Sequence, residues 1–547
     1  MSQKKPRRRS EWLVIVCLVL VGGMVRLAAT ATLPRVAWGD EPFYLWLGQS
    51  LWSGDGFNIQ GYSAANFPPL FAVLTGALNQ LTHNLVQASN LVYIVAGAAL
   101  AWPLSALARA IYSPAASWIT GLIAALYPAL VTGVLTWGTM TEPLYLLCIA
   151  TAIYALFRAL DDWPLRWQPF AGLGIALGLA YLTRTEALVF LAAAIALLLL
   201  GLPLQRRPLR PVLAHTGLVL VVFLLVASPY LLYIKRSTGQ WSLTGAAGMA
   251  FDSMAGLTNN DAAAFDRATW GLAPQDDEVY LFSRSSEAEG LGSTLLADPL
   301  TLLRRLRRGY QTASGLLWSS KLVPWPLAAL AALGLFACRW RGRRLRGELA
   351  LLASLAAPLS YLPFFVQERY LAGMLPALMI WLGLGIWLLG GWLRGSLAGL
   401  STRPLPLWLR RMLTVLPAVL LALLLLALSP QLWHTMQDTH SFQPGHLAAA
   451  AELKARGAGP SDVVMSRYPA IALHAGTRWA ATPAEDWPTL LSYARRHQAR
   501  YLVLDGWEGR LRPQLDFLLI PALAPAELRY LTTVETGEDP VVLYEFQ

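Results

Sequence analysis

The chain has 547 residues, of which 56% are hydrophobic and only 14% charged, whereas soluble domains carry close to a quarter charged residues. That deficit argues against a water-soluble enzyme and makes lipid the main solvent. The net charge of +11, from 43 Lys and Arg against 32 Asp and Glu, comes mostly from arginine set in short clusters between apolar runs. This pattern suits phosphate and anionic headgroups and lacks the continuous stripe that nucleic acid requires.

In chain order, Lys4, Lys5, Arg7, Arg8 and Arg9 precede an apolar run from Trp12 to about Thr32, which places the N-terminus in the cytoplasm by the positive-inside rule. Residues 28–31 resemble a signal-peptide cleavage site, but the run is longer than a normal h-region and reads as a span. Further runs of a length that crosses a bilayer lie near 86–111, 115–137, 141–159, 168–183, 185–203, 211–234, 313–337, 348–366, 371–393 and 409–430, about eleven spans in all. The loops at 109–113, 161–166, 205–210, 339–346 and 394–411 then face the cytoplasm, and three of them are arginine-rich. Residues 67–81 are apolar but short, opened by Pro68-Pro69 and interrupted by Asn79. A crossing there would turn the clusters at 205–210 and 339–346 outward, so the segment reads as a juxtamembrane or re-entrant helix packed against protein. Arg304, Arg305, Arg307 and Arg308 fall outside in a loop too long for the charge rule, and suit an interfacial helix.

The expected division is a membrane domain over residues 1–430, with external loops at 33–85 and 235–312, followed by a small extracytoplasmic α/β domain over 431–547. Within the longer loop, Asn259-Asn260-Asp261 and Gln275-Asp276-Asp277-Glu278 mark turns. In the C-terminal part, residues 446–455 and 487–498 have helical spacing, and 462–466 and 500–504 look like buried strands. Residues 530–535 and 540–546, joined by Thr536-Gly537-Glu538-Asp539, suggest a hairpin. This part reads either as a structural cap or as a surface that recognises an acceptor.

Four polar sites separated by up to hundreds of residues share the external face in this topology. Gly39-Asp40-Glu41-Pro42-Phe43-Tyr44 follows the first span; Asp40 could simply cap the next helix, with Glu41 favourable to its dipole. Glu142 opens another helix. Arg184 and Glu186 occupy a tight turn, where a plain ion pair is the simplest account, and Gln367-Glu368-Arg369-Tyr370 breaks two later spans. Cys17, Cys148 and Cys338 are too scattered for a metal site or a disulfide framework, and the seven histidines, His434, His440 and His474 among them, show no ligand spacing.

On these residues the chain resembles the GT-C glycosyltransferases, specifically the bacterial relatives of protein O-mannosyltransferases and of the aminoarabinose transferase that modifies lipid A. The resemblance covers roughly residues 12–430 and is most specific at Asp40-Glu41-Pro42-Phe43-Tyr44, with support from Phe67-Pro68-Pro69-Leu70, Leu182-Thr183-Arg184-Thr185-Glu186 and Glu368-Arg369-Tyr370. It implies a polytopic helical membrane fold with juxtamembrane helices, a bacterial inner-membrane location and a polyprenyl phosphate sugar donor. It further implies that Asp40 is the catalytic base and that Glu142 assists. Relatives often carry Glu-Lys before the Pro-Pro pair, the lysine meeting the donor phosphate; here Asn66-Phe67 stand instead, leaving Arg184, Arg369 or Lys235 as substitutes. The turn reads Arg-Thr-Glu where relatives often have Arg-Pro-Glu.

The expected reaction is a single displacement with inversion, in which Asp40 takes the proton of an acceptor hydroxyl and Arg184 and Arg369 stabilise the departing phosphate. Glu41 or Glu142 would hold acceptor or sugar hydroxyls, and Tyr44, Glu186 and Tyr370 complete the expected substrate contacts. No cofactor is required; a divalent metal stays open, as does the acceptor, which could be lipid, glycan or protein. A transporter of lipid-linked sugars and a non-catalytic membrane scaffold are the competing readings.

Overall fold

The computed structural model describes residues 7–32, 35–245, 261–273, 277–281, 299–399, scattered positions between 406 and 430, 443–535 and 539–547. Outside these lie most of the expected span at 409–430, the turn residues Asn259, Asn260, Gln275, Asp276, Thr536, Gly537 and Glu538, and also His434 and His440.

Among the described residues, six helices are long and apolar enough to cross a bilayer: Trp12–Thr32, Leu85–Ile111, Glu142–Asp161, Ala187–Leu204, Leu209–Thr238 and Glu368–Ser396. Shorter apolar helices run over Leu70–Thr82, Pro114–Leu126 and Trp325–Phe336. The run at 115–137 is therefore not one continuous helix. Pro128 lacks an N–H, so the helix stops at Leu126 and the chain continues as Pro128–Val131 and a 3-10 turn Gly133–Thr136. Carbonyls left open by this break are met by Arg26, fully buried, which donates to Ala124 and Ala125 at 3.2 Å and to Leu130 at 3.2 Å. Gly97 makes room for that side chain, since a Cβ there would lie 2.3 Å from Arg26 Nε. The run at 348–366 breaks likewise, into Gly342–Ser354, Ala356–Leu359 and an irregular stretch containing Pro363.

Residues 67–81 form the helix Leu70–Thr82, whose 13 residues span about 20 Å, too short for a hydrocarbon core of about 30 Å. It packs on the helix Glu41–Ser53 at Gly48 and Gly76, where a Cβ on either would lie 2.3 Å from a carbonyl of the other helix. The arginine-rich segment near 304 forms the amphipathic helix Pro299–Leu317, with Arg304, Arg307 and Arg308 exposed beside Leu300, Leu303 and Tyr310. Gly309 seats this helix against the Leu362 carbonyl.

Two-residue strands β1 (Asn58–Ile59) and β2 (Tyr62–Ser63) form a hairpin turning at Gln60-Gly61, both in the left-handed region. Near the C-terminus, β3 (Val463–Ser466), β4 (Arg478–Ala481), β5 (Ala499–Asp505), β6 (Leu528–Val534) and β7 (Val541–Phe546) form one sheet in the order β4-β3-β5-β7-β6. β4, β3 and β5 are parallel, while β5, β7 and β6 are antiparallel, so the expected closing hairpin is present. The helices Gln443–Ala455 and Trp487–Arg496 also match expectation. β4 escaped the sequence because Arg-Trp-Ala-Ala has no β-branched residue and no alternation. Its outer edge is covered: Gln60 Oε1 accepts from Trp479 N at 2.7 Å and the Tyr62 hydroxyl accepts from Ala481 N at 3.4 Å.

The helix Ala262–Trp270 joins this sheet through a buried ionic network. Asp266 accepts from Arg467 at 2.8 Å and from Arg512 at 2.6 Å, and Arg512 also donates to Glu508 at 2.6 Å. Burial pushes the Glu508 carboxyl up to about 8 despite the pull of Arg512. A group whose folded value lies above its ordinary 4.5 contributes stability that is complete below 4.5 and is lost as pH rises through about 8. The thermal midpoint of the protein is therefore expected to be lower at pH 9 than at pH 6, with Glu508→Gln reducing the difference; a pH-independent midpoint in the wild type would contradict this.

Candidate active site

Gly39 and Gly138 set the position of Asp40. Both adopt left-handed backbone conformations, with φ of 61° and 74°, and a Cβ on Gly39 would lie 2.7 Å from the Gly138 carbonyl oxygen. The amides of Asp40 and Glu41 both donate to that oxygen, at 2.8 and 3.1 Å. The segment leaving the first span is thereby pinned to the segment leading into Glu142.

Asp40 stands at the N-cap position of the helix Glu41–Ser53, yet its side chain makes no capping hydrogen bond. Its carboxylate instead accepts from Arg369 at 2.8 Å, with the two side chains 30% and 19% exposed respectively. Glu41 points elsewhere: fully buried, it accepts two hydrogen bonds from Arg35, at 2.5 and 2.9 Å, and one from Ser89. It locks the start of its helix to the helix Leu85–Ala99.

Glu142, also fully buried, accepts from Thr139 and from Arg184 at 2.8 Å on one carboxylate oxygen, while Oε2 makes no hydrogen bond within the protein. Arg184 binds Glu186 through Nε as well, so the sequence-level pair becomes a three-membered cluster. Its turn is held by Leu70, whose amide donates to the Leu182 carbonyl at 2.8 Å. Pro68-Pro69 thus connects to the arginine turn.

Tyr370 links the two halves. The Arg184 and Arg369 guanidinium carbons lie 5.5 and 5.0 Å from its ring centroid, and its hydroxyl accepts from Arg369 at 3.1 Å. Tyr361 stacks on it at 4.3 Å. Tyr44 is within electrostatic reach of Asp40, Glu142, Arg184 and Arg369, its ring wedged edge-on against Phe67 and Phe71. Phe67 is thus a packing residue where relatives were expected to carry a lysine, and Asn66 beside it leaves Oδ1 buried without a hydrogen bond.

Asp40, Glu142, Arg184, Glu186, Arg369, Tyr370 and Tyr44 are therefore brought together. Lys235 is engaged elsewhere, donating to the Gly239 carbonyl at the end of its own helix, and Glu41 serves Arg35. Sequence reasoning missed Thr139, Tyr145 and Tyr361. Tyr145 lies 5.8 Å below Arg184 with its hydroxyl unpartnered within the protein; the prolines flanking Ser360-Tyr361-Leu362 were the available signal for Tyr361. Each carboxylate in the cluster already faces a guanidinium or is tied by one, and among the described residues no three acidic, His or Cys side chains are grouped to hold a metal. The set as arranged suits an anionic ligand and a hydroxyl: Arg369 Nε is a buried donor without a partner, and Glu142 Oε2 a buried acceptor without one.

This is a multi-pass helical membrane protein with a compact guanidinium and carboxylate cluster at the ends of its helices. It has the GT-C fold. The crystal structure of ArnT from Cupriavidus metallidurans bound to undecaprenyl phosphate is similar with a TM-score of 0.56 at 14% identity, covering 97% of this chain and 98% of that one. The Archaeoglobus fulgidus oligosaccharyltransferase in complex with Zn and sulfate gives 0.57 at 16% identity, over 97% of this chain and 73% of that one. The archaeal oligosaccharyltransferase AglB from the same organism, in complex with an inhibitory peptide and a dolichol-phosphate, gives 0.52 at 14%, over 100% and 75%. The family described as dolichyl-phosphate-mannose-protein mannosyltransferase matches residues 66–233. No curated protein matches the chain by sequence.

Proposed function

We propose that the chain transfers a sugar from a polyprenyl phosphate carrier to an acceptor hydroxyl at the extracytoplasmic face of a bacterial inner membrane, with inversion. The observation that carries this reading is the convergence of Asp40, Glu142, Arg184 and Arg369 around Tyr370, on a fold shared with a protein crystallised with undecaprenyl phosphate. The acceptor oxygen forms a bond to the anomeric carbon as the bond from that carbon to the phosphate oxygen breaks. The phosphate leaves with the electron pair, and the acceptor proton passes to the Asp40 carboxylate. Arg369, half committed to Asp40, turns its unpartnered Nε to the departing phosphate, where a permanently charged planar group is most useful. Glu142 Oε2 receives a hydroxyl of the sugar or acceptor. One base and one leaving group suffice for a single displacement, and a single displacement inverts the anomeric carbon.

Binding of undecaprenyl phosphate to the full chain in nanodiscs tests the phosphate site. Saturable binding is expected, weakened about tenfold or more in Arg369→Gln, which removes a charge-assisted contact. The stability of that variant should change by about 1 kcal/mol or less, because the Asp40 pair is partly exposed. Equal binding in wild type and variant would remove Arg369 from the site.

A further inference from the structure

A cavity of about 240 Å³ lies where the β1–β2 turn, residues 278–281 and the β4 edge meet. Its walls include Gln60, Tyr62, Glu278, Arg478, Trp479 and His497. We infer that this cleft is a saccharide subsite that holds a neutral sugar unit of the acceptor. The inference rests on the glycosyltransferase reading above and assigns a role to the C-terminal sheet within it.

The chemistry of the walls points to a sugar rather than to a lipid chain or a phosphate. A pyranose presents adjacent hydroxyls, each both donor and acceptor, and planar carboxylate, amide and guanidinium groups can meet two of them at once. Glu278 and Arg478 supply a carboxylate and a guanidinium, and the Gln60 amide nitrogen a further donor beside its oxygen's bond to Trp479 N. Formal charge cancels between Arg478 and Glu278, and burial holds His497 below its ordinary value. A phosphate would meet no excess of positive charge. The volume is below that of usual drug-sized sites, about 300 Å³ and upward, and suits roughly one ring.

The wall is also held in place. The Tyr62 and Tyr493 hydroxyls are 2.7 Å apart, Tyr493 donates to Glu278 at 3.3 Å, and His497 faces the same carboxylate at 3.3 Å. Glu278 and His497 keep 33% and 25% of their side chains exposed, so a held network borders open space, the arrangement that binds without reorganisation. The Trp479 ring meets Phe43 at 5.5 Å and Tyr62 at 5.6 Å. Phe43 stands three residues beyond Asp40, on the helix that Asp40 precedes. A sugar seated here is a neighbour of the reacting unit in the acceptor and not the reacting unit itself.

Saturation-transfer NMR on the full chain in nanodiscs, with mannobiose, galactobiose and cellobiose as probes, tests this. At least one is expected to bind saturably, about tenfold more weakly in Arg478→Ala and in His497→Gln. Arg478 is exposed on an edge strand, so its truncation leaves the fold in place. Asp40→Asn should bind the same probe unchanged. No saturable binding by any probe, or binding that survives both cleft variants, would overturn the inference. Undecaprenyl phosphate binding measured on the same samples separates the two claims: its loss in wild type sinks the transferase reading, whereas its persistence beside absent saccharide binding sinks only the subsite.

Discussion

Asp40→Asn is expected to lower sugar transfer by roughly 100-fold or more, the size of a positioned general base, with donor binding and thermal midpoint nearly unchanged. Its carboxylate is available for chemistry because structural work is done by its neighbours. The helix that Asp40 precedes receives no cap bond from it, and the helix start is fixed by Glu41 with Arg35 and by the Gly138 carbonyl. Asparagine keeps the size of the side chain and can still accept from Arg369, so binding is preserved while basicity is lost. Turnover within a few fold of wild type would remove Asp40 from the role of base.

Arg184→Ala is expected to do more than weaken donor use. Arg184 is 9% exposed and faces Glu142, at 0%, and Glu186, at 7%. Its removal leaves two buried carboxylates without a counter-charge, and deleting one partner of a buried pair costs about 3–5 kcal/mol. A reading from sequence, with Arg184 as a donor contact alone, predicts little loss of stability; the cluster predicts a clear one. Arg184→Lys should restore much of the stability by restoring charge, yet recover donor turnover poorly, because one ammonium cannot serve two carboxylates and a phosphate with a planar fork. Paired thermal-unfolding and donor-kinetics measurements separate the two effects. Full stability in Arg184→Ala would contradict the cluster.

What the sequence made legible were features written in local chemistry. The Asp40-Glu41 pair after a span, the Arg184 turn and Arg369-Tyr370 each interrupt apolar runs, where charge is costly without a reason, and a common face could be deduced from topology. Their partners could not. Glu142 pairs with a residue 42 positions away and Asp40 with one 329 away, and nothing in either neighbourhood encodes the match. Glu41 looked available for substrate hydroxyls because adjacent helical side chains diverge only once neighbouring segments are placed, here by Arg35 and Ser89. Pro128, Pro358 and Pro363 signalled broken helices at 115–137 and 348–366, but hydropathy hides such breaks since membrane interiors tolerate proline where neighbours satisfy the freed carbonyls. Arg26 performs that task from 98 residues away. In the C-terminal part the strong strands were visible, whereas β4 and the Asp266 network depend on contacts with residues 60–62 and 262–270, far away in sequence.

The most direct measurement is donor turnover in proteoliposomes containing the full chain and a radiolabelled polyprenyl phosphate sugar, following release of polyprenyl phosphate together with the labelled product. The account predicts release that depends on both the acceptor and Asp40, with the product anomer opposite to that of the donor. Movement of intact labelled donor between leaflets, with no phosphate released in any acceptor mixture drawn from a bacterial envelope, would contradict it.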